Sequence, residues 1–243
     1  MIEKGTRSLL KSFTWRLLAT AVLFLLSLIF MEGDTAKALN ITIWYHAIQI
    51  IMYYAHERFW SKVSWGKAKG CFIQMTGLSG AGKTTLARIV GERLQDKGYK
   101  VEVIDGDEFR SGLCSDLGFS KEDRNTNIRR LGFVSKVLSR NNVISIISAI
   151  NPYDEVRKEL LSLDENAKTV YIECDIETLK QRDTKGLYRK ALLPDGHPEK
   201  IHNFTGISDP FEEPSSADLV INTDQESIAS AANKLEKFIL KNI

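Results

Sequence analysis

The chain has 243 residues, room for one ordinary domain and an appendage. Its 33 lysines and arginines stand against 31 aspartates and glutamates, so no global field marks it for a nucleic acid polymer, and any charge argument is local. Three cysteines, Cys71, Cys114 and Cys174, lie far apart with no C-x-x-C pair, a pattern that excludes a zinc ribbon and predicts reduced, buried thiols in a cytosolic domain.

The first elements read as apolar helices. Residues 13–30 are apolar except for Thr14, Arg16, Thr20 and Ser27, and residues 38–55 form a second run with His46 and Gln49 inside it. A helix of about 18 residues is roughly 27 Å long, close to the hydrocarbon thickness of a bilayer. Gly33 and Asp34 between the runs predict a turn, and Asn40 a helix cap. Lys4, Arg7, Lys11 and Arg16 precede the pair and Arg58, Lys62, Lys67 and Lys69 follow it, while the connection carries Lys37. The positive-inside rule then predicts a transmembrane helical hairpin with both ends in the cytoplasm of a bacterial inner membrane. Trp15, Trp44, Tyr53, Tyr54, Phe59 and Trp60 suit interfacial depth, and His46 and Gln49 suit an interhelical hydrogen bond. A cleaved signal peptide ending at Ala36 to Ala38 and a buried core hairpin are the competing readings. Composition turns from lipid-like to ordinary over residues 62–69, giving a hairpin over 1–66 and a second domain over 67–243.

That domain opens on an apolar strand at residues 71–75 and the loop GLSGAGKTT, which contains G-x-x-x-x-G-K-[ST] as Gly77, Gly82, Lys83 and Thr84. Glycines let backbone N–H groups close around phosphate oxygens, and the following helix adds its positive end. Gly77, Leu78, Ser79, Gly80, Ala81, Gly82, Lys83, Thr84 and Thr85 are the predicted ATP cradle, with Lys83 on the β- and γ-phosphates and Thr84 on Mg²⁺. Leu86, Ile89, Val90 and Leu94 share one helical face behind the loop.

Further strands are predicted in KVEVID, NNVISIIS, KTVYIECD and DLVINT, separated by helical patterns over 126–140, 156–163, 176–182 and 227–240. This alternation predicts an α/β fold, a P-loop NTPase-type parallel sheet flanked by helices, with ligands at the carboxyl ends of the strands. A motor-type strand ending in Asp-Glu and an N-K-x-D motif are both absent from the sequence, which favours a small-molecule phosphotransferase.

Asp105 and Asp107 flank Gly106 at the end of the second strand, placed to accept a hydroxyl proton or hold metal-bound water; an Asx turn is the plainer reading. Arg110, Arg124, Asn127, Arg129 and Arg130 then concentrate donors suited to an oxyanion. On a helix Asn127 and Arg130 share a face and Arg129 is turned away, which favours Arg124 and Asn127 over Arg129. Residues 182–214 read as a long polar lid, with Lys185, Arg189 and Lys190 as its charges and Phe204 as a stacking ring.

Two resemblances sharpen this reading. Residues 1–66 are similar to a small bacterial two-helix membrane domain family of unknown function. In order, GLSGAGKTTLA, DGDEFRSGL, LGFSKEDRNTNIRR, KGLYRKA and FTGISDPFEEP resemble the adenylylsulfate kinase family over roughly residues 66–243. The resemblance implies a P-loop kinase, often homodimeric, that moves the γ-phosphoryl of MgATP to the 3′-hydroxyl of adenosine 5′-phosphosulfate in sulfate activation, giving PAPS. It implies Asp107 as the catalytic or metal-side carboxylate, and Arg110, Arg124 and Asn127 around the acceptor anion. Phe119 and Phe204 become a clamp on its adenine, with Lys185 in the lid. Where the family commonly has serine and arginine after the third strand, this chain has Asn151 and Asp154, and its LLPDGHPEKIHN stretch is longer and less basic. Asn151 is a candidate acceptor contact, and the changes at 151 and 154 leave standing a same-fold kinase acting on another nucleotide-activated anion in surface-polysaccharide modification. The membrane hairpin leaves standing a non-catalytic, nucleotide-sensing membrane scaffold.

Overall fold

The computed structural model describes residues 5–30, 35–63 and 69–243, in two compact units, residues 1–68 and 69–243. The first unit pairs α1 (Gly5–Phe30) with α2 (Thr35–Lys62). Both helices run beyond the expected apolar spans, so Asn40 lies inside α2 rather than capping it; Gly33, Asp34, Lys4 and Lys67 lie outside the described residues. Among the described residues no helix is long and apolar enough to cross a membrane. Of the first apolar run, the side chains of Phe24, Ser27, Leu28 and Phe30 are outside the described ones.

The two helices are fastened where their outer ends meet. The buried Arg7 guanidinium donates to the Trp60 and Val63 carbonyls, satisfying acceptors that the end of α2 leaves unpaired, and lies over the Trp60 ring at 5.3 Å. Lys11 pairs with Glu57 at 2.9 Å, and Thr14 Oγ1 meets His56 Nε2 at 3.0 Å. Among the described residues the interhelical polar contacts thus fall on Arg7, Lys11 and Thr14 of α1 and on the far end of α2. Gln49 instead donates to Tyr45 Oη on its own helix at 2.7 Å, and His46 is exposed.

The second unit is a parallel five-stranded sheet in the order β2-β3-β1-β4-β5, built from β1 (Phe72–Thr76), β2 (Val101–Asp105), β3 (Ile144–Ser148), β4 (Ala167–Glu173) and β5 (Leu219–Asn222). β1 and β3 are buried along their whole length, as parallel strands covered on both faces are. One face is covered by α3 (Lys83–Asp96) and α9 (Ile228–Lys241), through Leu86, Val90, Leu94, Leu235 and Ile239. The other is covered by α5 (Lys121–Arg140) and α6 (Asp154–Leu163), through Ile128, Leu131, Val156 and Leu160. The five expected strands are present with ends shifted by a few residues, and α7 (Ile176–Arg182) lies where expected.

Two short helices were not legible as such. In α4 (Gly106–Ser111), Asp105 is the N-cap, its carboxylate accepting from Asp107 N and Glu108 N, so the Asx reading of this stretch holds. In α8 (Leu187–Ala191), the stretch expected to be irregular lid is helical. All three cysteines are free and buried.

Candidate active site

The parallel sheet brings the ends of β1, β2 and β3 side by side, and the loop after β1 wraps the start of α3. Gly77 has φ +148°, and a Cβ there would stand 2.3 Å from the Ile172 carbonyl oxygen, so this turn admits glycine alone. Gly82 precedes α3 in the left-handed region and offers no side-chain cap. The first N–H groups of α3 therefore face the loop interior with the helix's positive end behind them, a ready anion seat.

Lys83 folds back into the loop, its Nζ donating to the carbonyls of Gly77 at 2.9 Å and Leu78 at 2.7 Å. Burial pushes its pKa down to about 8, against an opposing pull from Asp107; Lys185 lowers it further and Asp105 raises it. Thr84 Oγ1 donates to Asp105 Oδ2 at 2.8 Å and stands 2.9 Å from Ser148 Oγ. Thr84, Asp105 and Ser148, from the first turn of α3, β2 and β3, thus form one cluster of hard oxygens. Asp107 points elsewhere: its exposed carboxylate pairs with Lys185 of the lid at 2.6 Å.

These groups line a cavity of about 510 Å³ together with Ser79, Gly80, Gly82, Thr85, Phe119, Arg124 and Phe204. Among the expected lid cations Lys185 reaches it, while Lys190 pairs with Glu199 and Arg189 is exposed. Arg124 donates from Nε to the Phe119 carbonyl at 3.1 Å and from Nη2 to the Asn203 carbonyl, joining the two ring-bearing loops. Arg110 also stacks on Phe119, 4.7 Å from the ring centroid, and burial and then Arg124 lower its pKa. Arg110 and Asn127 are set back from the lining; Asn127 is buried with its Oδ1 unpartnered among the described residues. Arg129 and Arg130 are used in pairs with Glu159 and Asp116.

Asn151 does not reach this cavity. It is 1 % exposed with φ +46°, and its amide donates to Gln74 Oε1 at 2.9 Å beneath the sheet's end. Its neighbour Ile150 accepts from Gly77 N at 3.2 Å, so the segment braces the phosphate loop from behind. Asp154 sits in the first turn of α6, paired with Arg157 and Lys158. The two departures from the common motif thus lie outside the cavity lining.

Sequence reasoning missed Ser148, His202, Thr205 and Tyr188. Ser148 was findable from the rule that ligands gather at the carboxyl ends of parallel strands. Tyr188 was not, since only the fold takes its hydroxyl to the Ser79 carbonyl, 2.9 Å away, and its ring edge-on to Phe204 at 5.0 Å. A second hollow of about 360 Å³ adjoins the start of α3, sharing Gly82 and Thr85 with the first and lined further by Arg182, Thr223 and Ile228. A larger cavity of about 790 Å³ beyond Leu78 carries Glu173, Asp175, Asp209, Glu213 and Asp224, a lining that repels phosphate.

The family described as "Adenylylsulphate kinase" matches residues 69–222. The chain belongs to the adenylylsulphate kinase family. Adenylyl-sulfate kinases of Rippkaea orientalis and Chloroflexus aurantiacus are similar to it, at 44 % identity over 169 residues and 48 % over 166, covering 70 % and 68 % of this chain and 91 % and 87 % of theirs. The solved Mycobacterium tuberculosis APS kinase, in complex with AMPPNP and APS, superposes with a TM-score of 0.66 at 34 % identity, covering 71 % of this chain and 99 % of that one. All of these fall on the kinase unit. A second family, "Predicted membrane protein (DUF2061)", matches residues 9–61. The phosphate loop, Asp107, Arg124, Lys185 and Phe204 all lie inside the span matched to the kinase family.

Proposed function

We propose that the chain is a membrane-attached kinase that transfers the γ-phosphoryl group of ATP to the 3′-hydroxyl of adenosine 5′-phosphosulfate, giving PAPS and ADP. One observation carries the reading of the site: Lys83, Asp107, Lys185 and Arg124 line a single cavity closed by Phe119 and Phe204. In this reading the triphosphate lies along the loop and the start of α3. The base of ATP takes the smaller hollow by Arg182 and Thr223. The acceptor's adenine lies between Phe119 and Phe204, with its anion toward Arg124 and Arg110.

The Thr84–Asp105–Ser148 oxygens fit a hard divalent cation, with Thr84 and Asp105 its holders rather than Thr84 and Asp107. When bound, Mg²⁺ supplies charge neutralisation on the phosphate oxygens. Lys83 reaches the β- and γ-phosphates by exchanging its two loop carbonyls for phosphate oxygens. Asp105 spends its two oxygens on the Asp107 N–H and the Thr84 hydroxyl, whereas the exposed Asp107 carboxylate faces the cavity beside Lys185. Asp107 takes the proton of the 3′-hydroxyl as its oxygen bonds to the γ-phosphorus and the bond to the ADP oxygen breaks. Lys185 then follows the transferring charge, and the lid keeps water out.

The acceptor reading is supported by the placement of Asn151 and Asp154 away from the cavity, which removes the motive for a different anion. Membrane attachment is supported by the match of residues 9–61 and by exposed Leu17, Leu25, Ile29, Ile50 and Ile51. The test is product identity by mass with MgATP and adenosine 5′-phosphosulfate. PAPS and ADP in equal amounts are expected, with turnover lost in Lys83→Ala at unchanged folding. Turnover only with a different nucleotide anion would overturn the acceptor assignment.

A further inference from the structure

We propose that Asp209, held by Tyr153, is a positioning residue that sets the Arg124 guanidinium for the acceptor anion; this rests on the assignment of Arg124 to the acceptor. A carboxylate beside an anion-binding arginine is costly unless it does something for that arginine, and here its place is fixed from two directions.

The main chain fixes it first. Thr205 and Asp209 bridge, Gly206 N donates to the Asp209 carbonyl at 2.8 Å, and Asp209 N donates to the Phe204 carbonyl at 3.1 Å. The turn is tight enough to need Gly206 at φ +90°. Tyr153 fixes it second, donating its phenol to Asp209 Oδ2 at 2.9 Å. Tyr153 is itself 2 % exposed, with Lys121 Nζ 4.9 Å from its ring, and burial followed by Asp209 pushes its pKa up to about 12. It therefore stays a donor at any working pH. Arg157 holds the Tyr153 segment in turn, donating to the Asn151 carbonyl at 2.9 Å and the Glu212 carbonyl at 2.7 Å.

The same Asp209 Oδ2 stands 3.8 Å from Arg124 Nε. Arg124 and Arg110 face Phe119 from 5.6 and 4.7 Å, two like charges about one ring. The Asp209 carboxylate offsets that repulsion and keeps Arg124 turned so that Nε and Nη2 meet the loop carbonyls. Nη1 makes no hydrogen bond among the described residues and is the donor left for an anion.

The test is steady-state kinetics on the full chain with both substrates varied. Asp209→Asn keeps an oxygen for Tyr153 and removes the charge. It is expected to raise the acceptor KM about tenfold with the ATP KM and melting temperature unchanged, and Tyr153→Phe to raise it about threefold. In an Arg124→Ala background, Asp209→Asn is expected to add nothing further. If Arg124→Ala leaves the acceptor KM unchanged, the assignment of Arg124 falls and this inference with it. If Arg124→Ala raises it but Asp209→Asn does not, or Asp209→Asn keeps its full effect without Arg124, the positioning role alone is refuted. A parallel rise in both KM values with a lower melting temperature would make Asp209 merely structural.

Discussion

Lys83 shows how one buried charge is prepared for a charged partner. The residue is 7 % exposed and its ammonium is held by two carbonyl dipoles, a weaker setting than water or phosphate. Its pKa of about 8 lies below the ordinary 10.5, so the unfolded chain binds the proton more tightly. Burying it therefore costs stability, fully below pH 8, and that cost disappears as pH rises toward 10.5. A triphosphate reverses the bias. Between these values ATP binding takes up a proton, and affinity falls as pH climbs above 8. Calorimetry at pH 8.5 in two buffers of different ionisation enthalpy checks this: the observed heats differ in the sense of uptake, and identical heats would refute it.

Elements are placed by close approaches that single residues permit. On α5, a Cβ at Gly132 would stand 2.8 Å from Leu160 Cγ of α6, and Leu160 is fully buried among Ile104, Ile128 and Leu131. Gly132→Ala gains about 1 kcal/mol of helix propensity but overpacks this contact by about 1–3 kcal/mol. The expected result is a melting temperature a few degrees lower, measured by calorimetry on the kinase unit; a rise would show that α6 shifts freely. The contact matters to the site because α6 carries Arg157 and α5 carries Arg124. The helix periods were readable from apolar spacing, and Leu86, Val90 and Leu94 are buried as expected. Their starts were less so: α5 begins at Lys121, where the cap Ser120 accepts from Asp123 N, ahead of the apolar pattern near 126.

At the scale of the chain, the proposed function divides the work between the two units. The kinase unit has a core on each face of its sheet, and the two relatives named above are matched over most of their own length. It is therefore expected to fold and turn over without residues 1–68. The full chain is expected in the membrane fraction, resistant to high salt and released by detergent, while 69–243 stays in the supernatant with the same turnover. Release of the full chain by salt alone would mean that charge rather than apolar surface attaches it.

The sequence by itself determined the phosphate loop and the α/β order, because each is written in contiguous residues. Gly77 and Gly82 fix a local backbone, apolar periodicity fixes a local face, and an apolar run fixes a composition. The tertiary structure decided which side chains meet. It paired Thr84 with Asp105 rather than Asp107, turned Asp107 to Lys185, and kept Asn151 out of the cavity lining in a bond with Gln74. Those partners are 21, 78 and 77 residues apart. No local propensity carries such contacts; only the strand order of the sheet and the return of the lid bring them within reach.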